Sequence, residues 1–239
     1  MNLLYYLPAI GDNNIDNKHE ILLHNLNYIY NNIQKKFSIS INFYTVSEKI
    51  KNSIKNLHFI ENIYIYEKTG ILTELFLTNP HNEYIHLYDY ILFILDDVKI
   101  INMDIQRMID IKNKYSIEIF SPKILNSTHS FMNSNNKLTI HNFLEIYLLL
   151  LTPDDFTKYC LINTIENKWM WYVDHLFGHY NIKAGVINDF IALHMLPSCS
   201  NQSDANQCGY VYLRKYTKYN SLNDIIKNYS PIKEIIYDY

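Results

Sequence analysis

Two adjacent carboxylates follow the most apolar segment of the sequence. Residues 90–95 are continuously apolar, which is typical of a central strand covered on both faces, and Asp96 and Asp97 come at its end. Carboxylates beside a buried strand are costly unless a positive group lies near them, and a divalent ion that also binds a diphosphate would supply that charge. Oxygen ligands of this kind suit Mg²⁺ or Mn²⁺. The alternative is a solvated strand end in which one Asp caps the next helix.

A second group combines two tryptophans with an aspartate. Trp169 and Trp171 are the two tryptophans of the sequence, and they lie five and three positions before Asp174. An aromatic wall can bind the apolar face of a sugar ring, while a nearby carboxylate takes the proton from an incoming hydroxyl group. Trp171 is therefore a candidate sugar contact and Asp174 a candidate general base. The alternative is that both indoles pack in the core and that Asp174 is exposed or lies near a helix start.

His194 and Lys68 stand at the ends of two further predicted elements. His194 ends an apolar run, where an imidazole could complete a metal site with carboxylate and phosphate oxygens or could be purely structural. Lys68-Thr69-Gly70 precedes a predicted helix whose N-terminal amides could meet phosphate. The Walker spacing is absent there, so a P-loop is not predicted.

Alternating strands and helices would position these residues. The order of the elements implies an α/β domain with a Rossmann-like, mostly parallel central sheet and helices on both faces, in which ligands bind beyond the carboxyl ends of the strands. One domain is expected over residues 1–239, with 197–239 forming a polar loop and a C-terminal tail. Within it, residues 198–209 are predicted to be a loop that closes over the ligand. Hydrophobic patterning predicts strands at 3–10, 38–44, 62–66, 90–95, 116–121 and 182–194, and helices at 19–36, 48–57, 70–77, 104–115, 153–164 and 169–179.

The composition argues against several classes of partner. A net charge of −3 without a block of like charges excludes nucleic acid as the expected main partner. The three cysteines form neither a CxxC motif nor a zinc-binding spacing, so free thiols in a reducing compartment are expected. No transmembrane segment and no signal peptide is predicted, and a cytoplasmic location is expected.

Taken in order along the chain, these segments resemble a known family. The ordered set comprises Lys-Thr-Gly at a helix start, the strand ending in Asp-Asp-Val, Phe-Ser-Pro at 120–122, Trp-Met-Trp-Tyr-Val-Asp at 169–174, and His194. It resembles the GT-A glycosyltransferase domain of large DNA viruses and is similar to the chlorovirus capsid-protein glycosyltransferases. The similarity covers about residues 1–197, and its specificity lies in the order of the motifs.

The resemblance implies metal-dependent transfer of a sugar from a nucleoside-diphosphate donor, with a UDP-sugar favoured, to a glycan or glycoprotein acceptor. Asp97 matches the last acidic position of the GT-A Asp-x-Asp motif and would bind Mn²⁺ or Mg²⁺. Asp96 would lie beside it, near the donor ribose or the ion. Asp174 matches the catalytic base of inverting members, and His194 matches a late histidine near the metal and the diphosphate.

The same resemblance implies contacts on the donor side. Pro8 and Ala9, expected just after the first strand, would border the nucleotide base, and Lys68 would lie near the donor. Leu95 replaces the first Asp of the full motif, which leaves the ribose contact open and permits weak or optional metal binding. A viral enzyme of this kind would act in the host cytoplasm or the virion.

Two other functions fit parts of the sequence. A nucleotidyltransferase or phosphatase could use Asp96 and Asp97 for metal-assisted phosphoryl chemistry, although Trp171 and Asp174 would then have no role. A degenerate GT-A domain could serve as a non-catalytic carbohydrate-binding module, because the first Asp of the motif is missing. The sequence indicates neither the sugar nor the oligomeric state.

Overall fold

One central sheet organises the parts of the chain that the computed structural model describes, which are residues 1–127, 138–195 and 202–237. Short 3₁₀ helices add to the regular elements at Pro80–Leu87 and Val173–His175. The strands and helices follow in the order β1 (Leu3–Ile10), α1 (Ile15–Ile33), β2 (Phe37–Phe43), α2 (Glu48–Lys55), β3 (Ile60–Glu67), α3 (Leu72–Leu77), β4 (Tyr90–Ile94), β5 (Val98–Asn102), α4 (Ile105–Lys114), β6 (Ile119–Leu125), β7 (Leu138–His141), β8 (Leu148–Leu151), α5 (Pro153–Leu161), β9 (Ala184–His194), α6 (Gln202–Tyr216), α7 (Leu222–Asn228) and β10 (Ile232–Ile236).

The strand order in the sheet is β10-β7-β9-β6-β8-β4-β1-β2-β3, and β5 pairs with β9. β3, β2, β1 and β4 are parallel neighbours, as are β6 and β9, whereas β5, β7 and β8 run in the opposite direction. The prediction of an α/β fold with a mostly parallel sheet is therefore confirmed. As a result, the carboxyl ends of β1, β3, β4 and β9 lie along the same border of the sheet, which we call the carboxyl edge.

Local sequence signals account for where the helices begin. α5 begins after Thr152, whose hydroxyl accepts a hydrogen bond from the Asp155 amide while the Asp155 carboxylate binds the Thr152 amide, and Pro153 takes the first helical position. The side chains of Ser47 and Asp104 cap α2 and α4 by accepting a hydrogen bond from the amide three residues further on. These caps satisfy amides that the helices themselves leave without partners.

An aromatic cluster joins the sheet to the helices behind it. Tyr6 of β1 contacts Phe156 of α5 at a ring-centroid distance of 5.1 Å, and Phe76 of α3 meets Phe93 of β4 at 5.5 Å with its ring edge-on. All four side chains are buried. Edge-to-face packing of this kind adds to the free energy gained by burial, so it helps to hold α5 against β1 and α3 against β4.

Several predicted elements are wrong in position or extent. The strand predicted at 116–121 is β6, which continues through Pro122; the register against β9 shifts just after this proline, so its missing N–H is tolerated. β5, β7, β8 and β10 were not predicted at all. Each has only four or five residues, too few to display a periodic pattern.

The polar loop predicted at 198–209 is wrong for the residues that the structure describes. Residues 202–209 belong to α6, whose buried Ala205, Tyr212 and Leu213 recur at helical spacing. Residues 198–201, including Cys199, lie outside the described residues. Cys160 and Cys208 are free thiols, as expected. In the described ranges, none of the helices has both the length and the apolarity needed to cross a bilayer.

Candidate functional site

Asp97 and His194 form a hydrogen-bonded pair at the carboxyl edge of the sheet. The chain turns after β4, and β5 then pairs antiparallel to β9 with Val98 opposite His194. This pairing places Asp97 Oδ2 3.0 Å from His194 Nε2. Two residues that the sequence separates widely are thus brought together by a strand that was not predicted.

The surroundings of His194 make its imidazole more basic than a free one. The hydrogen bond to Asp97 raises the pKa of His194, and this effect outweighs the opposing effect of burial. The imidazole stacks on the ring of Tyr147, with the ring centroids 4.5 Å apart. The Met195 amide also donates to the Asp97 carbonyl oxygen at 2.8 Å. Both residues of the pair are therefore held in place by backbone and ring contacts.

The Asp97–His194 pair fits part of a metal site. Asp97 Oδ1 is buried and has no hydrogen-bond partner among the described residues, so it is an oxygen atom whose burial a cation would offset. Carboxylate oxygen and imidazole nitrogen are both ligands of Mn²⁺. The described part of the chain contains no cluster of three or more potential metal ligands of the His, Cys, Asp or Glu type. An ion held here would therefore take its other ligands from a bound diphosphate or water.

Asp96 lies next to this pair but binds the loop after β1. Its Oδ2 accepts hydrogen bonds from Lys18 Nζ at 2.8 Å and from the Gly11 amide at 3.1 Å, and Lys18 Nζ also donates to the Gly11 carbonyl at 3.2 Å. Burial raises the pKa of Asp96, although Lys18 opposes that rise. Asp96 and Lys18 thus tie the end of β1 to the end of β4, the two strands between which an open α/β sheet commonly binds ligands.

The helix predicted over 169–179 is wrong. Met170 and Tyr172 adopt left-handed backbone angles, with φ of 60° and 68°, which interrupt an α-helix. The Asn167 side chain donates to the Trp171 carbonyl at 2.7 Å, so a side chain replaces a helical amide as its partner. Strained backbone of this kind costs free energy and is frequent in functional sites.

Asp174 and His175 form a second hydrogen-bonded pair. Asp174 Oδ1 lies 2.8 Å from His175 Nδ1, and the Asp174 carbonyl accepts a hydrogen bond from the Leu144 amide at 3.0 Å. Burial lowers the pKa of His175, but the charge and the hydrogen bond of Asp174 raise it by more, so the net shift is upward. Asp174 therefore has a fixed orientation and an imidazole partner, which the sequence reasoning did not identify.

Helix α6 packs over the strained segment that precedes Asp174. Trp169 Nε1 donates to Asp204 Oδ2 at 3.1 Å, so this indole is a packing group between two elements. The Tyr172 hydroxyl donates to Asn206 Oδ1. Trp171 is half-buried, with its ring edge-on to Tyr172 at 6.3 Å, so part of its surface is left for a ligand.

The residues expected on the donor side are placed differently from one another. Pro8 and Ala9 were expected just after the first strand, but they lie inside β1, at the point where its register against β2 shifts. A proline has no amide hydrogen to donate, so an irregular position in a strand accommodates it. Lys68 follows β3 at the carboxyl edge, and its Nζ binds Glu74 Oε1 at 2.9 Å and Thr78 Oγ1 at 3.5 Å.

Three residues of this region were missed in the sequence. Lys18 gave no signal, because its partner Asp96 lies far along the chain. His175 stands next to Asp174, and adjacency alone does not distinguish a partner from a bystander. Glu145 did give a signal, since it is a single carboxylate within the apolar stretch 144–151 and is buried in the structure.

Comparisons with solved structures assign the fold. The chain superposes on GalNAc-T7 with UDP, GalNAc and Mn²⁺ with a TM-score of 0.67 at 7% identity over 94% of this chain and 49% of that one. It superposes on S. aureus TarS with a TM-score of 0.58 at 10% identity over 91% of this chain and 44% of that one. For TarS 1–349 in complex with UDP-GlcNAc, the TM-score is 0.59 at 11% identity over 96% of this chain and 68% of that one.

These structures are glycosyltransferases of the GT-A type, and the chain has their fold. It spans less than half the length of the first TarS chain and of the GalNAc-T7 chain, at 44% and 49%. No protein-family model and no curated protein sequence matches the chain.

Proposed function

We propose that the protein is a glycosyltransferase that moves a sugar from a nucleoside-diphosphate donor to a hydroxyl group of a glycan or glycoprotein. The observation that carries this proposal is the Asp97–His194 pair at the carboxyl edge of a GT-A sheet, with a buried oxygen atom of Asp97 that has no hydrogen-bond partner among the described residues. Both residues are held at the ends of strands whose ligand-binding edge is the same. A UDP-sugar is the favoured donor, because UDP complexes occur among the structures with this fold.

The donor is proposed to lie between the ends of β1 and β4. Asp97 and His194 would hold Mn²⁺ or Mg²⁺ against the diphosphate, and the ion would neutralise the negative charge that develops on the departing nucleoside diphosphate. Asp96 is proposed to act through Lys18 and Gly11, because it shapes the loop after β1 that would border the nucleotide. Pro8 and Ala9 are retained as candidates for that border, and Lys68 would reach the donor only by exchanging its contact with Glu74.

Asp174 is proposed to be the general base of an inverting transfer. Its carboxylate would take the proton of the acceptor hydroxyl as that oxygen forms a bond to the anomeric carbon. The bond from the anomeric carbon to the phosphate oxygen of the donor breaks at the same time, and the nucleoside diphosphate leaves with the electron pair. The hydrogen bond from His175 keeps Asp174 oriented toward the acceptor. Trp171, half-buried beside it, would contact the sugar ring.

The biological setting is proposed from the sequence motifs alone. Their order resembles that of the transferases of large DNA viruses, so a viral capsid glycoprotein is the acceptor to test first. Synthetic glycans of the type found on such a capsid, offered with the donor, would test it. Faster transfer to these glycans than to simple monosaccharides would support a capsid glycoprotein as acceptor. Equal transfer to both would contradict it.

A panel of nucleotide sugars tests the proposed function. The purified protein is incubated with each donor in Mn²⁺, in Mg²⁺ or in EDTA, and release of the nucleoside diphosphate is followed over hours. Slow, metal-dependent release from one donor is expected. Release of inorganic phosphate without sugar transfer would instead favour a phosphatase. Glycan binding that is the same with and without metal, together with no turnover of any donor, would identify a carbohydrate-binding module.

A further inference from the structure

β3 is the last strand on its side of the sheet, and its outer edge, the side that faces away from β2, is uncovered. Among the described residues it pairs only with β2, and each of its eight residues is at least partly exposed. All seven residues of β2, in contrast, are buried. Proteins usually protect such an edge with proline, lysine or a bulge, because its unpaired N–H and C=O groups accept another strand. β3 contains neither proline nor lysine.

A bulge restricts the outer edge of β3 to its second half. Ile60 pairs with Phe37 but Ile63 pairs with Ile39, so β3 holds one extra residue between these two pairs. From Ile63 to Glu67 the pairing with β2 is regular. The part of the outer edge that another strand could join therefore begins at Ile63.

The hydrogen bonds to β2 determine which backbone groups of β3 point outwards. The Lys68 amide donates to the Phe43 carbonyl at 3.1 Å, so the backbone of Lys68 is directed toward β2. In a parallel pair, every second residue of a strand bonds the neighbour, and the residues between them point their N–H and C=O groups to the other side. Ile63, Ile65 and Glu67 are therefore the residues whose backbone groups face outwards.

An open groove of about 440 Å³ runs along one face of this edge and is lined by Ile63, Ile65, Glu67 and, from α2, Lys51 and Lys55. Because α2 connects two parallel strands, it runs antiparallel to β3, so Lys55 lies toward the start of β3 and Glu67 at its far end. Lys55 and Glu67 are both exposed, and neither forms an ion pair with a described residue. The groove thus carries opposite charges at its two ends.

Two tyrosines occupy the other face of the same edge. Tyr64 stacks on Tyr84 with the ring centroids 5.1 Å apart, and Tyr66 meets His81 edge-on at 6.1 Å. Both tyrosines remain partly exposed. The outer edge of β3 therefore has one face with isoleucines between opposite charges and one face with aromatic rings.

We propose that two copies of the chain pair through the outer edges of β3, antiparallel about a two-fold axis at Ile65. Ile65 then lies opposite Ile65 of the partner subunit, and Ile63 lies opposite the partner's Glu67. All of these residues have outward-facing backbone groups, so each opposed pair exchanges two hydrogen bonds. A register shifted by one residue would set an outward-facing residue against one that faces β2, so it would lose these bonds.

The side chains are complementary in the same register. The partner's Glu67 lies beside Lys55, and the two-fold axis repeats this ion pair. On the other face Tyr64 lies opposite the partner's Tyr66. Opposite charges and aromatic pairs across neighbouring strands are both stabilising. Because the edge is complementary to itself, a second copy is assigned to it rather than a peptide of another protein, and two-fold pairing closes the β3 edge of both copies.

The mass of the full chain in solution tests this dimer. Sedimentation equilibrium of the wild type over a range of concentrations is expected to show a monomer–dimer equilibrium. Ile65→Lys sets like charges against each other on the axis, so this variant is expected to be a monomer at concentrations where the wild type is a dimer. Ile235→Lys is the matched control, because Ile235 is an exposed isoleucine of β10, the strand at the other end of the sheet. It is expected to dimerise like the wild type.

Charge reversal tests the register at two exposed positions, where the fold is expected to tolerate substitution. Lys55→Glu and Glu67→Lys each oppose like charges across the axis, so each is expected to weaken dimerisation by about tenfold. A heterodimer of the two variants again has opposite charges at both contacts. An equimolar mixture is therefore expected to dimerise as tightly as the wild type.

The proposed dimer would be overturned by a wild type that stays monomeric at its highest soluble concentration. Persistence of the dimer in Ile65→Lys, or its loss in Ile235→Lys, would place the contact elsewhere and overturn it as well. A mixture of the two charge variants that dimerises no better than either variant alone would contradict the register. Mass is measured without sugar transfer, so these outcomes do not depend on the proposed function.

Discussion

Gly209 of α6 lies against the ring of Tyr172 so closely that a Cβ at position 209 would stand 2.3 Å from Tyr172 Cδ2. Tyr172 is buried, and its hydroxyl is bonded to Asn206, so the ring has little freedom to move away. Two residues later the chain carries Asp174. The absence of a side chain at 209 therefore lets α6 clamp the strained backbone that presents the proposed base.

Gly209→Ala is expected to disturb this clamp. An alanine in a helix is usually more favourable than a glycine, but here the methyl group would overpack the Tyr172 ring and cost about 1–3 kcal/mol. Urea unfolding of the variant should show this loss. In the Tyr172→Ala background the ring is gone, so the same substitution should become neutral or stabilising. An equal loss in both backgrounds would mean that the close approach to Tyr172 is not the cause.

Lys18→Met is expected to destabilise the loop after β1. Lys18 is 6% exposed, and its removal leaves the partly buried Asp96 carboxylate without its cation, at a cost of about 3 kcal/mol in the free energy of unfolding. Lys51→Met removes the partly exposed partner of the exposed Glu48 and should change stability by less than about 1 kcal/mol. Similar losses in the free energy of unfolding of the two variants would show that the buried Lys18–Asp96 pair stabilises the fold no more than an exposed pair does.

His141 of β7 is expected to make the fold sensitive to acid. Burial lowers the pKa of His141 to about 4, against an ordinary value near 6.5. Between these two pKa values His141 is protonated in the unfolded chain but not in the folded chain. The free energy of unfolding therefore falls as the pH drops from 6.5 to about 4, and His141 contributes roughly 3 kcal/mol to this loss. The comparison is urea unfolding of the wild type and of His141→Asn across that range. Parallel curves would contradict the assignment.

Asp97→Asn is expected to weaken metal binding by about tenfold or more. The substitution removes the negative charge that a metal would bind and alters the hydrogen bond to His194. Titration of Mn²⁺ followed by electron paramagnetic resonance measures this without any donor. Asp154→Asn, at an exposed position of α5, is the control and should bind Mn²⁺ like the wild type. Equal affinity for Mn²⁺ in the wild type, Asp97→Asn and Asp154→Asn would show that Asp97 does not bind the metal.

The first half of the fold could be predicted because its elements carry strong local patterns. β1, β2, β3 and β4 are long or continuously apolar, and the helices between them follow an amphipathic period. β5 and β8 could not be found in this way, since each is four or five residues long and is defined by its partner across the sheet. Long-range pairing is invisible to a local pattern.

The candidate site divides along the same line. Asp97, Asp174 and His194 are proposed as site residues from the sequence, because each follows an apolar strand or an aromatic segment. The partners of Asp96 and Asp174 could not be predicted, because Lys18 approaches Asp96 through the fold alone and adjacency in the sequence does not identify His175 as a partner. The helix predicted around Asp174 was wrong, because the left-handed backbone of the residues before it depends on contacts with α6.

The most direct test of the account compares wild type with Asp174→Asn in a transfer assay with the nucleotide sugar that the panel identifies. Removal of a general base should lower the transfer rate by about 10²–10⁴-fold. Calorimetric affinity for the donor with Mn²⁺ should stay close to that of the wild type, because Asp174 is assigned to the acceptor side. Transfer by Asp174→Asn at the wild-type rate would contradict the proposed role of Asp174.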